Sequence, residues 1–383
     1  MMQNNIVFLG CTGDFGRSFS ACNTKIEFVI RGVKLEGDRC VVHNGINGSS
    51  LYKHILNSEH PFAETIIDYP ARVNWYVAPF INFKQLIVDL RRLYVPGCKN
   101  VVVLEAPYII YYWLMLLASK FCGYKVVVIS HEWLATFRNA NILRQISNIC
   151  YSRFFCYGVD AVLPISEYII DKIEHFKKPM FKLPVLADFS HGVPNVEKGD
   201  YFMYCVSAEF FRVIAILLEA FELYRRKGGG YRFVLVLAGS ESAKAKVREE
   251  IAVRNMNDDV DVLCSMQYDV LFSMYTKAAA LLLPLDPSRE QDRARFSQKT
   301  AEYLSSASAI ITNPVGENAY YFQDGEDVIM ADFTQQGFCD AFKWVEENPH
   351  AARKIGRKGF YRGADVFDYK VCGKHLHDFL LRI

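Results

Sequence analysis

From residue 293 to residue 316 the chain reads RARFSQKTAEYLSSASAIITNPVG. Phe296, Ala301, Tyr303 and Leu304 can face one side of a helix, a break of small residues follows, and a β-branched run ends at Asn313-Pro314. That pattern predicts an amphipathic helix leading into a short buried strand, half of an αβ unit of a parallel sheet. In open sheets of this kind ligands gather outside the carboxyl ends of the strands, where helix N-termini offer free N–H groups to anions. Lys299 and Glu302 lie three residues apart on one face of the helix, as a solvated ion pair or as an ammonium and a carboxylate addressing one ligand.

The same alternation runs through the rest of the chain. IVFLG (6–10), CVVH (40–43), VVVLEA (101–106) and KVVVISHEW (125–133) read as strands, with helical spacing at 27–33, 51–56, 83–94 and 108–121. The strands around 101 and 125, with a helix between them, have the βαβ signature of a parallel crossover. The helix at 108–121 is expected to be fully buried, because its uncharged run of about 14 residues falls short of the roughly 20 that span a bilayer. Residues 138–157 predict a long helix with Arg138, Arg144 and Arg153 among aromatics, either a solvated basic face or a surface that rests on anionic lipid. Residues 159–166 and 177–189 read as the last strands of a first domain, and HGVPNVEKGD (191–200) has linker composition. Strands then recur at 201–207, 232–240, 259–265 and 279–285. The expected domains are 1–192 and 193–365, with a last helix at 366–383 returning to the first domain.

A chain of 383 residues with 51% hydrophobic content can fill two cores. Its 44 basic and 42 acidic residues leave a net charge of +2, which argues against a nucleic-acid protein that works through a broad positive field. Eleven cysteines without a CxxC pair or zinc spacing predict free thiols in a reducing, cytoplasmic setting. The start, MMQNNIVFLG, shows no secretory signal pattern. The pair Asp259-x-Asp261 is read as the polar lead-in to a strand, so no metal is expected.

Within 293–316 the pattern FxxKxxEYLSSxSAIIT resembles the donor-site segment of the group-1 glycosyltransferases (family 4, GT-B fold). The resemblance implies an α/β protein of two Rossmann-like domains facing each other across a cleft, and transfer of a sugar, with retention, from a UDP- or GDP-linked nucleotide sugar. The acceptor would be a glycan or lipid-linked, in polysaccharide assembly, with peripheral membrane contact. In this likeness Glu302 holds the ribose hydroxyls, Lys299 and Glu317 flank the site, and Gly316 belongs to the sugar-facing loop. His131, just past a strand end, matches the histidine that contacts the donor sugar. The segment 201–224 corresponds to the pyrophosphate cradle, with Arg212 at the place of the family's lysine. The likeness also departs from the family. Ala294 stands where a second carboxylate is usual, Val206 where a glycine is usual, and Ser207 where an arginine is usual. Arg289, Arg293 or Arg295 is then available as a substitute cation. Glu302→Ala is expected to cut turnover and leave the fold intact.

Two other readings stay open. Gly10-x-x-Gly13-x-x-Gly16 after the first strand suits a turn that lets backbone approach a phosphate or a sugar. Gly13 and Gly16 therefore count as donor-binding candidates, and with Tyr168-x-x-x-Lys172 they also fit an NAD(P)-dependent sugar epimerase or reductase. The third reading is a GT-B domain that binds a partner or a glycan without catalysis.

Overall fold

The computed structural model describes residues 3–10, 21–43, 65–67, 78–105, 109–137, 142–264 and 266–383. Gly13, Gly16, Arg138 and the helix expected at 51–56 lie outside the described residues. The chain divides into two compact units. The first comprises Met1–Leu186, Ala294–Gln298 and Phe367–Ile383, and the second Ala187–Arg293 and Lys299–Val366.

The first unit runs β1 (Asn4–Leu9), α1 (Ala21–Leu35), β2 (Arg39–His43), β3 (Thr65–Ile67), α2 (Ala78–Leu93), β4 (Lys99–Leu104), α3 (Ile109–Phe121), β5 (Lys125–Ser130), α4 (Ile142–Phe154), β6 (Ala161–Pro164) and α5 (Glu167–Ile173). Its strands pair in parallel in the order β3-β2-β1-β4-β5-β6. The runs IVFL, VVVL and VVVI are buried along their length, as strands covered on both faces must be. The progression reverses direction between β1 and β4, the topological switch point at which open sheets hold ligands.

The second unit runs β7 (Tyr201–Ser207), α6 (Phe211–Arg226), β8 (Arg232–Ala238), α7 (Glu241–Val253), β9 (Val260–Cys264), α8 (Tyr268–Lys277), β10 (Ala280–Leu283), α9 (Glu290–Ala294), α10 (Gln298–Ser305), β11 (Ala309–Thr312), α11 (Glu317–Tyr321), β12 (Ile329–Met330) and α12 (Gln335–Glu347). Its sheet, β12-β11-β10-β7-β8-β9, repeats the doubly wound order and reverses between β7 and β10. Phe202, Phe221, Tyr224, Phe233 and Phe342 centre its core. After α13 (Pro349–Phe367) the closing helix α14 (Tyr369–Arg382) belongs to the first unit and packs on α1. Gly32 and Gly373 permit that approach, since a Cβ on Gly373 would stand 2.3 Å from the Gly32 carbonyl carbon.

Two expectations need correction. Helix α3 is buried on one side only: Tyr111, Tyr112, Met115 and Leu116 face the core, while Ile110, Leu117 and Phe121 are exposed. A helix in the outer layer of an α/β fold covers its sheet with one stripe, so uniform apolarity did not translate into uniform burial. Residues 177–189 do not form a regular strand either. The Val162 amide donates to Pro179 O, and Phe181 and Leu183 donate to Val162 O and Pro164 O. Pro179 and Pro184 lack the N–H groups a full ladder needs.

Candidate donor site and the first unit's buried charges

At the carboxyl edge of the second sheet, β7 ends in Val206 and Ser207, and a 3-10 turn, Ala208–Phe210, leads into α6. Ser207 Oγ accepts from the Glu209 amide at 3.4 Å, and Glu209 Oε1 accepts from Ser240 Oγ at 2.7 Å. Gly239 has φ +104°, and a Cβ there would lie 3.0 Å from Ser207 Oγ, so glycine keeps this turn compact. The N-cap of α6, Phe210, supplies no side-chain hydrogen bond. The first-turn N–H groups of the helix lack that satisfaction, as at anion-binding helix ends.

Arg212 stands in that first turn. Its Nη1 donates to Ser288 Oγ at 2.9 Å and lies 3.2 Å from Asp286 Oδ2. The arginine side chain is 66% exposed and the aspartate side chain fully buried. Asp286 follows β10, the strand beside β7, so the guanidinium is anchored at the switch point by one edge while the remainder stays accessible. Asp286 is itself fixed, with Oδ1 accepting from the Ser288 amide and hydroxyl and its amide donating to Asp292 Oδ2 at 3.0 Å. Arg289 lies beside the same turn, its guanidinium carbon 5.1 Å from the Phe210 ring centre. Of the three arginines considered as substitutes for the family's missing cation, this one is packed against the β7–α6 turn. Arg295 belongs to the first unit, where its charge acts on Glu132, and Arg293 is exposed on α9.

On α10, Glu302 is 4% exposed and accepts from Lys299 Nζ at 2.7 Å. Lys299 also donates to the Tyr275 hydroxyl at 3.1 Å. Burial works against the ammonium, but the Glu302 carboxylate and the neighbouring Cys205 outweigh it and hold the Lys299 pKa above its ordinary value. This is an oriented, charged pair rather than a solvated one. Tyr303, one residue on, accepts the Cys205 amide at 3.1 Å and ties α10 to the end of β7.

The turn after β11 is locked to the loop after β10. Asn313 accepts from the Leu285 amide and donates to Leu285 O, each at 2.8 Å. Gly316 has φ +55°, and a Cβ there would approach Arg293 O to 3.0 Å. Glu317 opens α11 and is buried. The structure thus gathers Arg212, Ser207, Lys299, Glu302, Gly316 and Glu317 into one unit. Ala294 lies in the other, buried, its carbonyl accepting from Ser166 Oγ at 2.7 Å.

His131 belongs to the first unit. It follows β5, and its Nε2 is 3.4 Å from Oε1 of Glu105, which follows β4. Gly10 closes β1 beside them with φ +85°, and a Cβ there would stand 2.1 Å from Glu105 O. Burial and the nearby Lys25 lower the His131 pKa, with Glu105 pulling the other way. Burial would raise the Glu105 pKa, but His131 and Lys25 bring it below the ordinary value. Because the folded histidine pKa lies below 6.5, the unfolded chain takes up that proton first. The contribution is complete above about pH 6.5 and is lost as pH falls through the lowered folded value. Thermal melts between pH 5 and 7.5 should show Tm falling with acid in the wild type and falling less in His131→Gln. Equal slopes would contradict the assignment.

Other candidates have ordinary roles. Lys172 Nζ sits 5.1 Å from the Tyr168 ring centre on the outer part of α5, a surface pair. Asp259 and Asp261 are ion-paired to Arg225 and Arg232. Among the described residues no group of three or more His, Cys, Asp or Glu side chains is placed to hold a metal ion. The partners that sequence reasoning missed are Glu105 for His131 and Asp286 with Ser288 for Arg212. Both acids follow strand ends, a signal the sequence did contain.

No curated protein matches the chain by sequence. Residues 191–362 match the family model described as "Glycosyl transferases group 1". Among solved structures, the sucrose-phosphate synthase of Thermosynechococcus elongatus is similar at TM-score 0.74 and 11% identity, covering 99% of this chain and 98% of that one. The Anabaena protein HepE in complex with UDP is similar at 0.71 and 12%, covering 100% of both. An α,α-trehalose-phosphate synthase (UDP-forming) from Burkholderia vietnamiensis is similar at 0.68 and 12%, covering 100% of this chain and 97% of that one. Residues 191–362 therefore match the group 1 glycosyltransferases, and the chain as a whole has the GT-B fold of those solved structures.

Proposed function

We propose that a UDP- or GDP-linked sugar docks on the second unit and that its sugar passes, with retention, to a glycan or lipid-linked acceptor. The anchored position of Arg212 carries this reading: a guanidinium fixed to a buried carboxylate on one edge and open on the other, at the first turn of a helix whose N-cap supplies no side-chain bond. Breaking the glycosidic bond builds negative charge on the departing diphosphate. Preorganised cations and N–H groups stabilise that charge more than the ground state. Arg212 and Arg289 take this role in place of the family's usual pair, Glu302 grips the ribose with Lys299 orienting it, and Glu317 and Gly316 border the sugar.

Arg289→Ala tests the substitution directly. Transfer should fall about ten-fold or more, in keeping with the loss of one charge-assisted contact of roughly 1.5–3 kcal/mol. An unchanged rate would remove Arg289 from the site. The donor itself is read by thermal shift with UDP, GDP, CMP and their sugars in EDTA, since the proposed charge stabilisation comes from protein groups and needs no added metal. A nucleoside diphosphate should raise Tm, because a ligand stabilises the state it binds. A shift with NAD(P) alone would instead favour an epimerase or reductase.

A further inference from the structure

Helix α4 is inside out. Its inward face carries Asn148, Tyr151 and Ser152, and Ser152 Oγ accepts the Ala135 amide at 3.0 Å. Tyr151 stacks on Phe155 at 5.3 Å and meets Tyr112 edge-on. The outward face carries the aliphatic residues. Ile142 is 74% and Leu143 77% exposed, and Ile146, Ile149 and Phe154 are also exposed. Ile142, Ile146, Ile149 and Arg153 fall at i, i+4, i+7 and i+11, one stripe along the helix.

Water does not favour this arrangement, because burying such side chains normally gains roughly 1.5–3 kcal/mol each. Clustered exposure of this kind marks a contact surface rather than scattered surface leucines. The charge on the helix narrows the occupant. The sequence ILRQISNICYSRF contains two arginines and no acidic residue. Beyond the C-terminus an aromatic rim continues, with Phe154 against Tyr157 at 6.1 Å and Tyr157 against Phe176 at 5.1 Å. In the turn that carries Phe176, Lys177 and Glu174 are both exposed and offset each other, so the net positive charge comes from the helix. Aliphatic residues outward, aromatics at the margin and only basic charges on the helix itself are the features of a helix lying in the plane of a lipid interface.

We propose that α4 and its aromatic rim form a docking face for an anionic phospholipid bilayer, laid flat on the surface. Among the described residues no helix is long and apolar enough to cross a membrane. The contact delivers the enzyme to a lipid-linked acceptor and stands apart from the donor assignment, because vesicle binding requires no nucleotide.

The test is flotation of the full-length chain with vesicles of phosphatidylcholine alone and of phosphatidylcholine with phosphatidylglycerol. The wild type should float with the anionic vesicles and be released by salt. The double variant Ile146→Gln/Ile149→Gln should bind roughly ten-fold or more weakly, with an unchanged melting temperature and an unchanged response to nucleoside diphosphates. Arg153→Glu should weaken anionic binding while sparing the fold. Failure of the wild type to float would overturn the proposal, as would equal flotation of the double variant. A third contradicting result is a concentration-dependent dimer in sedimentation velocity, dissolved by the double variant, with no vesicle binding; the face would then belong to a second copy of the chain.

Discussion

Glu302→Gln is expected to lower the rate of sugar transfer by about 10²–10³-fold, roughly 3–4 kcal/mol of barrier, the usual loss for one preorganised polar contact in a catalytic site. Glutamine keeps the shape and the hydrogen-bonding capacity but removes the charge that Lys299 faces at 2.7 Å. Alanine is the less clean probe, contrary to the expectation from sequence that it leaves the fold intact. Glu302 is buried, and its removal strands an ammonium whose side chain is only 28% exposed, a change that costs stability as well as activity. Steady-state kinetics with a melting curve separates the two effects. A Glu302→Gln enzyme with wild-type turnover would refute the ribose assignment.

Arg212→Ala should be at least as damaging, with kcat/KM down by about 10²–10³-fold. The diphosphate loses its anchored cation, and Asp286 is left as a fully buried carboxylate without its ion-pair partner. Because Arg212 is largely exposed, screening limits what the pair itself contributes to stability. The larger share of any loss in Tm would come from the desolvated aspartate. Arg212→Lys should recover only part of the activity, since an ammonium carries the charge but cannot bridge two oxygens in a plane as a guanidinium does. Full activity in Arg212→Ala would contradict the proposed phosphate site.

The parallel sheets were legible because strands buried on both faces need uninterrupted apolar runs, and VVVLEA, KVVVIS and RFVLVLA supply them. The donor segment was legible for a similar reason: Lys299, Glu302 and the strand that follows lie within one short stretch, so a single αβ unit fixes their order. What the sequence did not reveal depends on side chains meeting across the fold. Arg212 and Ser288 are 76 positions apart, and nothing local to either announces the contact. The histidine–glutamate pair of the first unit joins the ends of two neighbouring strands in the same way. Helix α4 shows a different limit. Periodicity identifies a stripe but not the side that turns inward, and here the polar residues do, against the usual direction. The irregular segment at 177–189 follows from prolines that apolar composition alone would not have weighed.

In the proposed site the second unit holds the diphosphate of an activated sugar on Arg212 and α6. Isothermal titration of UDP and GDP onto the wild type and onto Arg212→Ala tests it most directly. We expect one nucleoside diphosphate to bind the wild type in a one-to-one complex, with affinity reduced roughly ten- to a hundred-fold in the variant. Equal affinity in both proteins, or no binding of either nucleotide to the wild type, would contradict the account.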